Sequence, residues 1–296
     1  MKRIALTVIF LFSFLIILFY WVGNESKVSD SSLNGEEPQE FPIQEADGEK
    51  PEEEKTITEE LKEAVSTVLE GAKEIFVEDN INIVAIGDSL TQGVGDSSGN
   101  GGYVGIIEET LQENNQDFQI KNFGKRGNRT DQLLDRLQEE EISSSLQEAD
   151  VIVVTIGAND IMKIVKNNFT SLAYEDFESE LPQYEDRLSS IFKTIRSQNK
   201  DAHIYLVGLY NPFEQYFSDI PELDQIIYDW NRISKDVVDR YANVNYIPIK
   251  DLFSGSTEDL YYEDNFHPNL RGYRLMAERI LSHLKEEIVR QNEEEI

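Results

Sequence analysis

The chain of 296 residues has three histidines, no cysteine, and a serine set directly after an apolar run, and these bound the chemistry open to it. Without Cys there is no thiolate nucleophile, no Cys-ligated metal and no disulfide, so reactivity has to come from hydroxyls, carboxylates and very few imidazoles. Ser89 follows Ile81-Asn82-Ile83-Val84-Ala85-Ile86 within the segment Gly87-Asp88-Ser89-Leu90-Thr91-Gln92-Gly93. A serine placed where a buried strand stops projects its hydroxyl beyond the sheet. It becomes nucleophilic near neutral pH when a base, usually His, takes its proton. Read alone, Ser89 serves equally well as a helix cap or turn residue.

The search for that base is short. His203 opens the run Ile204–Leu209 at the end away from Ser89, and His283 sits among Leu281, Leu284 and Lys285, so both read as structural. His267 lies in the polar segment Asp264-Asn265-Phe266-His267-Pro268-Asn269. Three residues of spacing let the Asp264 carboxylate reach Nδ1–H across one tight turn, leaving Nε2 for a hydroxyl. A second serine, Ser97 in Gly95-Asp96-Ser97-Ser98-Gly99, fits the letters of the G-x-S-x-G elbow but lacks a strand before it and a helix after it, and reads as a loop residue. No Walker A motif and no strand–G-x-G-x-x-G–helix fingerprint is present, so a phosphate cradle is not expected.

Acyl transfer also needs donors for a developing oxyanion. Asn122-Phe123-Gly124-Lys125-Arg126-Gly127 and Gly157-Ala158-Asn159-Asp160 each end an apolar run and offer a glycine N–H and an amide side chain; each alone is also an ordinary turn. The elements that must position them alternate. Short runs at Ile81–Ile86, Phe118–Phe123, Val151–Ile156, Ile204–Leu209 and Val244–Ile249 predict five strands. Tyr103–Asn114, Thr130–Leu146, Phe177–Ser197, Leu223–Tyr241 and Leu270–Ile288 predict five helices. Such alternation predicts an α/β fold, a three-layer α/β/α sandwich around a five-stranded parallel sheet, with the site outside the carboxyl ends of the strands.

Taken together, these segments resemble the GDSL, or SGNH, hydrolases. Gly87-Asp88-Ser89-Leu90 is similar to the family's first block, Asn122-x-Gly124-x-x-Gly127 to the second, Gly157-x-Asn159-Asp160 to the third and Asp264-x-x-His267-Pro268 to the fifth, in family order from Ile81 to about Ile280. The resemblance implies the flavodoxin-like fold of that family and hydrolysis of carboxylic esters or thioesters without a cofactor or metal. It implies Ser89 as nucleophile, His267 as base and then acid, and Asp264 as the group orienting His267. The oxyanion hole would be the Ser89 and Gly127 N–H groups with the Asn159 side chain. Gly127 is preferred to Gly124 because the family glycine falls five residues after the block's asparagine, here Asn122. Asp88 and Asp160 are expected to brace loops. Phe266 stands where the family often has a smaller apolar residue, which bears on pocket shape.

For the substrate, Phe169, Tyr174, Phe177, Tyr184, Tyr210, Phe213, Tyr216, Phe217 and Tyr228 can line an acyl-chain groove or pack in the core, and for any one of them the core is the default. A lysophospholipid or other acyl ester is the expected substrate, with O-deacetylation of envelope carbohydrate as the alternative. A non-catalytic envelope-binding module is the reading from another class, against which stands the complete set of five site positions.

Ahead of the α/β pattern, Ile4 to Val22 is an apolar run flanked by Lys2 and Arg3. As a helix its nineteen residues extend ~28 Å, close to the ~30 Å hydrocarbon core of a bilayer. Residues 1–23 are read as an uncleaved membrane anchor rather than a cleaved signal, because Trp21-Val22-Gly23-Asn24-Glu25 is a poor cleavage site. The basic end is held in the cytoplasm and the remainder of this bacterial-type chain outside, or secreted if the segment is cut. Residues 24–56 read as an acidic, self-repelling tether, and 57–296 as the hydrolase domain with a leading helix over 57–76. The chain carries 27 basic against 57 acidic side chains, a net charge of −30, which disfavours nucleic acid as a partner. Residues 1–80 hold −11 of this, leaving −19 for the domain and predicting a preference for neutral or zwitterionic esters.

Overall fold

Five apolar runs become strands, and their side-chain alternation divides the core in two. The computed structural model describes residues 81–294 apart from 114–117, 169, 218–219 and 257–258. The expected anchor, tether and leading helix lie outside the described residues. The strands are β1 (Ile81–Gly87), β2 (Phe118–Gly124), β3 (Val151–Thr155), β4 (His203–Val207) and β5 (Val244–Ile247), all parallel in the order β2-β1-β3-β4-β5. This is the expected doubly covered α/β sheet. One face carries Val84, Ile86, Ile152, Val154, Ile204 and Leu206; the other carries Ala85, Val151, Val153, Tyr205 and Val207. Both are buried, which is why the central strands read as unbroken apolar runs rather than alternating ones.

The helices that cover these faces are α1 (Ser89–Gln92), α2 (Gly102–Glu113), α3 (Thr130–Arg136), α4 (Glu140–Gln147), α5 (Ala158–Asn167), α6 (Leu181–Gln198), α7 (Pro221–Val238) and α8 (Leu270–Glu294), with short helical turns at Tyr174–Glu178, Glu214–Phe217 and Lys250–Phe253. α2 and α8 pack Tyr103, Ile107, Leu111, Tyr273, Met276 and Ile280 on the Ala85 face. α3 to α7 cover the other face with Leu133, Ile142, Val165, Leu188, Phe192 and Trp230.

Several elements differ from expectation. The helix expected over Thr130–Leu146 is two, because Leu137 and Ile142 are five residues apart and fall out of phase on one continuous helix; the break after Arg136 lets Leu137, Ile142 and Leu146 all be buried. The helix expected from Phe177 restarts at Leu181 with Pro182 in its first turn, where the missing N–H costs nothing. α5 was not expected at all, since its opening Gly157-Ala158-Asn159-Asp160 has turn-like composition. β4 and β5 are shorter than their apolar runs. Leu209 leaves the ladder to exchange both backbone groups with the Asn231 amide, at 2.8 Å each, and Pro248 has no N–H to continue β5.

Candidate active site

Three strand ends and one long loop converge beyond the carboxyl edge of the sheet. Ser89 is the first residue of α1, whose preceding residue Asp88 caps it by accepting the Leu90 N–H at 3.0 Å. The Asp88 N–H donates to the Thr155 carbonyl at 3.1 Å and the Thr155 hydroxyl to Asp88 Oδ1 at 2.9 Å, so the turn is fastened to the end of β3. Thr91 extends the network to Thr155 and Tyr103. Burial pushes the Asp88 carboxyl up to about 6, and the hydrogen bonds from Leu90 and Thr155 only partly oppose that push.

His267 is brought over from the loop ahead of α8. Its Nε2 lies 2.9 Å from Ser89 Oγ, and its Nδ1 lies 2.6 Å from Asp264 Oδ2. The other oxygen of Asp264 accepts the N–H groups of Phe266 and His267 at 3.0 and 2.9 Å, making the tight turn that the three-residue spacing required. Burial would raise the Asp264 carboxyl, but the hydrogen bond and charge of His267 and the two backbone donors outweigh it, so it is held below the usual range. His267 is only 2% exposed and packs edge-on against Phe266, so its imidazole is held between the carboxylate and the hydroxyl.

The candidate oxyanion donors come from α1, from the first turn of α5 and from the loop after β2. The Ser89 N–H is the first of its helix and therefore has no carbonyl one turn back. Asn159 occupies the first turn of α5, where one amide N–H reaches the Asn128 carbonyl at 3.1 Å and fixes the side chain against the loop after β2. The two glycines of that loop differ. Gly124 donates its N–H to Asn122 Oδ1 at 2.8 Å, and a Cβ there would lie 2.1 Å from the Gln92 backbone nitrogen, so Gly124 serves the packing of α1 on β2. Gly127 has φ +79° with open space around it. Asp160 braces this arrangement, accepting the Thr130 N–H at 3.0 Å, the Thr130 hydroxyl at 2.5 Å and Arg187 at 3.2 Å.

Beside Ser89 opens a cleft with an apolar lining that includes Ile161, Met162, Leu209, Phe213, Ile227 and Phe266. Of the aromatics singled out in the sequence, Tyr210 and Phe213 line this cleft. Phe177 and Tyr184 instead pack against Trp230 in the core, Tyr216 and Tyr228 are exposed, and Phe169 lies outside the described residues. His203 starts β4 at the far end of the sheet and Ser97 is in an exposed loop, as expected. Sequence reasoning missed the aliphatic part of the lining, although Ile161, Ile164 and Val165 carry helical spacing immediately after Asp160. Among the described residues no group of three or more His, Asp and Glu side chains is placed to hold a metal ion.

The chain is 36% identical over 220 residues to the Bacillus subtilis (strain 168) protein YpmR, covering 73% of this chain and 86% of that protein. It is 28% identical over 205 residues to the spore germination lipase LipC of Bacillus licheniformis, covering 68% and 94%. Among solved structures, the lipase Lip_vut3 from a goat rumen metagenome superposes with a TM-score of 0.60 at 27% identity, over 68% of this chain and 95% of that one. Residues 85–275 match the GDSL-like lipase/acylhydrolase family, and the chain belongs to this family of hydrolases.

Proposed function

We propose that the protein is a serine esterase that cleaves acyl esters, or the corresponding thioesters, through an acyl-enzyme. The observation that carries this reading is the continuous relay from Asp264 through His267 to Ser89 at the mouth of an apolar cleft. His267 Nε2 takes the Ser89 proton as Oγ attacks the carbonyl carbon, and Asp264 holds the Nδ1–H tautomer and stabilises the imidazolium. The tetrahedral oxyanion accepts from the Ser89 and Gly127 N–H groups and the Asn159 amide, each worth about 3 kcal/mol in the transition state by general magnitude. The imidazolium then protonates the leaving oxygen or sulfur, the acyl group stays on Ser89, and water repeats the sequence with His267 as base.

The apolar lining supports a substrate with an alkyl chain, a lysophospholipid or similar monoacyl ester, and the 28% identity to a lipase supports the same choice. With it goes the domain plan read from the sequence: residues 4–22 anchoring the chain in a bacterial membrane, residues 24–56 as a spacer, and the catalytic unit outside the cytoplasm.

The full-length protein in detergent, assayed against model esters from acetyl to long acyl beside Ser89→Ala, tests the reading. Turnover that falls by ~10⁴ or more in the variant, with the fold retained by circular dichroism, is the expected result. Equal turnover by both proteins, or none by wild type on esters, thioesters and acetylated glycans alike, overturns it. A sharp preference for acetyl over longer chains assigns the enzyme to O-deacetylation instead.

A further inference from the structure

The turn that carries His267 is closed on itself. Asp264 Oδ1 accepts the N–H groups of Phe266 and His267, the Asn265 N–H donates to the Tyr262 carbonyl at 2.8 Å, the Tyr262 N–H donates to the His267 carbonyl at 2.8 Å, and Tyr261 bridges to Pro268. All of these contacts are local. They settle the shape of the turn, but its place over Ser89 has to come from residues distant in sequence.

The segment after β4 supplies two such contacts. The Tyr210 hydroxyl donates to the Phe266 carbonyl at 2.7 Å and the Tyr216 hydroxyl to Asn265 Oδ1 at 2.7 Å, across 56 and 49 residues of chain. Between these bonds the Phe213 ring lies 6.1 Å from that of Phe266. The Tyr210 bond is the more consequential. The Phe266 carbonyl and the His267 N–H belong to one planar peptide unit, and Asp264 already holds that N–H at 2.9 Å. Gripped at both polar groups, the peptide unit fixes the direction in which the His267 side chain leaves the backbone. Tyr210 is itself immobilised: it is 7% exposed, stacked on Phe253 with ring centroids 4.1 Å apart and tilted against Tyr261 at 6.0 Å. Burial pushes its hydroxyl well above the usual tyrosine range, so it stays protonated and able to donate. Tyr216 is exposed, and water competes for its bond.

Resting on the esterase reading above, we infer that Tyr210, with a smaller contribution from Tyr216, is a positioning residue for the base: by holding the Phe266 peptide it sets His267 at proton-transfer distance from Ser89 and from the leaving group. Neither hydroxyl has to touch the substrate. The proton still passes from Ser89 Oγ to His267 Nε2 and on to the departing oxygen, and the tyrosines govern only where Nε2 stands. A misplaced ring harms most the step in which a poor leaving group must be protonated as it departs; an alkoxide needs that proton, whereas a nitrophenolate leaves without one.

The test measures the full-length protein in detergent on an ethyl ester and a p-nitrophenyl ester of the same acyl chain, with Tyr210→Phe and Tyr216→Phe beside wild type and urea titrations of all three. Tyr210→Phe keeps the ring stack and removes the hydroxyl alone. Its kcat/KM on the ethyl ester is expected to fall about tenfold, with the loss in kcat and KM within about twofold, while kcat/KM on the p-nitrophenyl ester falls by about threefold or less. Tyr216→Phe should lose about twofold on the ethyl ester and nothing on the other. A merely structural role would lower both esters alike by reducing the folded fraction. Equal losses on the two esters, a loss carried by KM, or turnover of Tyr210→Phe equal to wild type overturns the inference, while wild-type turnover still upholds the esterase. Should Tyr210→Phe not fold, Tyr216→Phe decides: a loss confined to the ethyl ester upholds the positioning role, and no loss or an equal loss on both esters overturns it. Absence of all wild-type turnover overturns both readings.

Discussion

His267 Nε2 stands 2.9 Å from Ser89 Oγ across 178 residues of chain, and the two meet because β1 ends beneath the loop that precedes α8. Neither partner is held by the other alone. The serine is fixed through Asp88 to Thr155, and the imidazole through Asp264 to the backbone of its own turn. In the mechanism proposed above, a nucleophile and base held independently in this way are preorganised, so little of the barrier to attack goes into bringing them together.

The two glycines after β2 separate structural from chemical roles. Gly124→Ala forces a methyl into the backbone of Gln92 and is expected to destabilise by ~1–3 kcal/mol. Gly127→Ala meets open space and incurs only the left-handed strain of ~1–2 kcal/mol while keeping its N–H, so turnover should remain within about tenfold of wild type. Asn159→Ala removes a donor and is expected to lower kcat by ~10²–10³ with little change in stability. Urea titrations alongside steady-state kinetics check all three; loss of turnover in Gly127→Ala equal to that of Asn159→Ala would mean the loop itself, not its N–H, has been disturbed.

Asp88 makes a measurable pH signature in stability. Its carboxyl is raised from 3.8 to about 6 in the folded protein, so the folded state binds more protons than the unfolded one between those values. The contribution is fully present below 3.8 and is lost as pH rises through about 6. Asp88→Asn has no such proton to lose. Its stability relative to wild type should therefore rise between pH 4 and pH 7, by on the order of 3 kcal/mol at most. Asp264 works in the opposite direction, its depressed carboxyl giving stability that is lost as pH falls. Chemical denaturation of the two proteins at matched pH isolates the Asp88 term, and a relative stability that falls with rising pH contradicts the assignment.

Cleft length should be separable from chemistry. Met162 lines the cleft from α5, so Met162→Trp fills it without touching the relay. Hydrolysis of a decanoyl ester should drop by ~10-fold or more, because several methylenes lose their apolar contacts, while an acetyl ester is affected little. Parallel kcat/KM measurements on the two esters decide this; equal losses would place the acyl chain elsewhere.

The relay was legible in the sequence because its hard parts are local. A strand ending in Asp88-Ser89 and a carboxylate three residues ahead of His267 are each readable within one turn, and the small number of histidines left one base to pair with the serine. What could not be read depends on distant contacts. The brace of Asp160 by Thr130 and Arg187 joins three helices. The cleft is assembled from α1, α5, α7, the segment after β4 and the His267 loop, and an aromatic such as Tyr184, a plausible groove residue by composition, turns inward because Trp230 is waiting for it. α5 was hidden by its own beginning, since the Gly157-Ala158-Asn159-Asp160 that opens it is also what a turn is made of.

The distance in sequence between Ser89 and its base has a consequence in time. Synthesis runs from the amino end, so the serine emerges from the ribosome long before Asp264 and His267 do, and the turn that carries them is closed by α8, the last described helix. Until that helix settles against α2 beneath it, the hydroxyl has no base and the cleft lacks Phe266. On the proposed mechanism, the onset of hydrolysis during refolding thus reports the docking of the carboxyl-terminal helix.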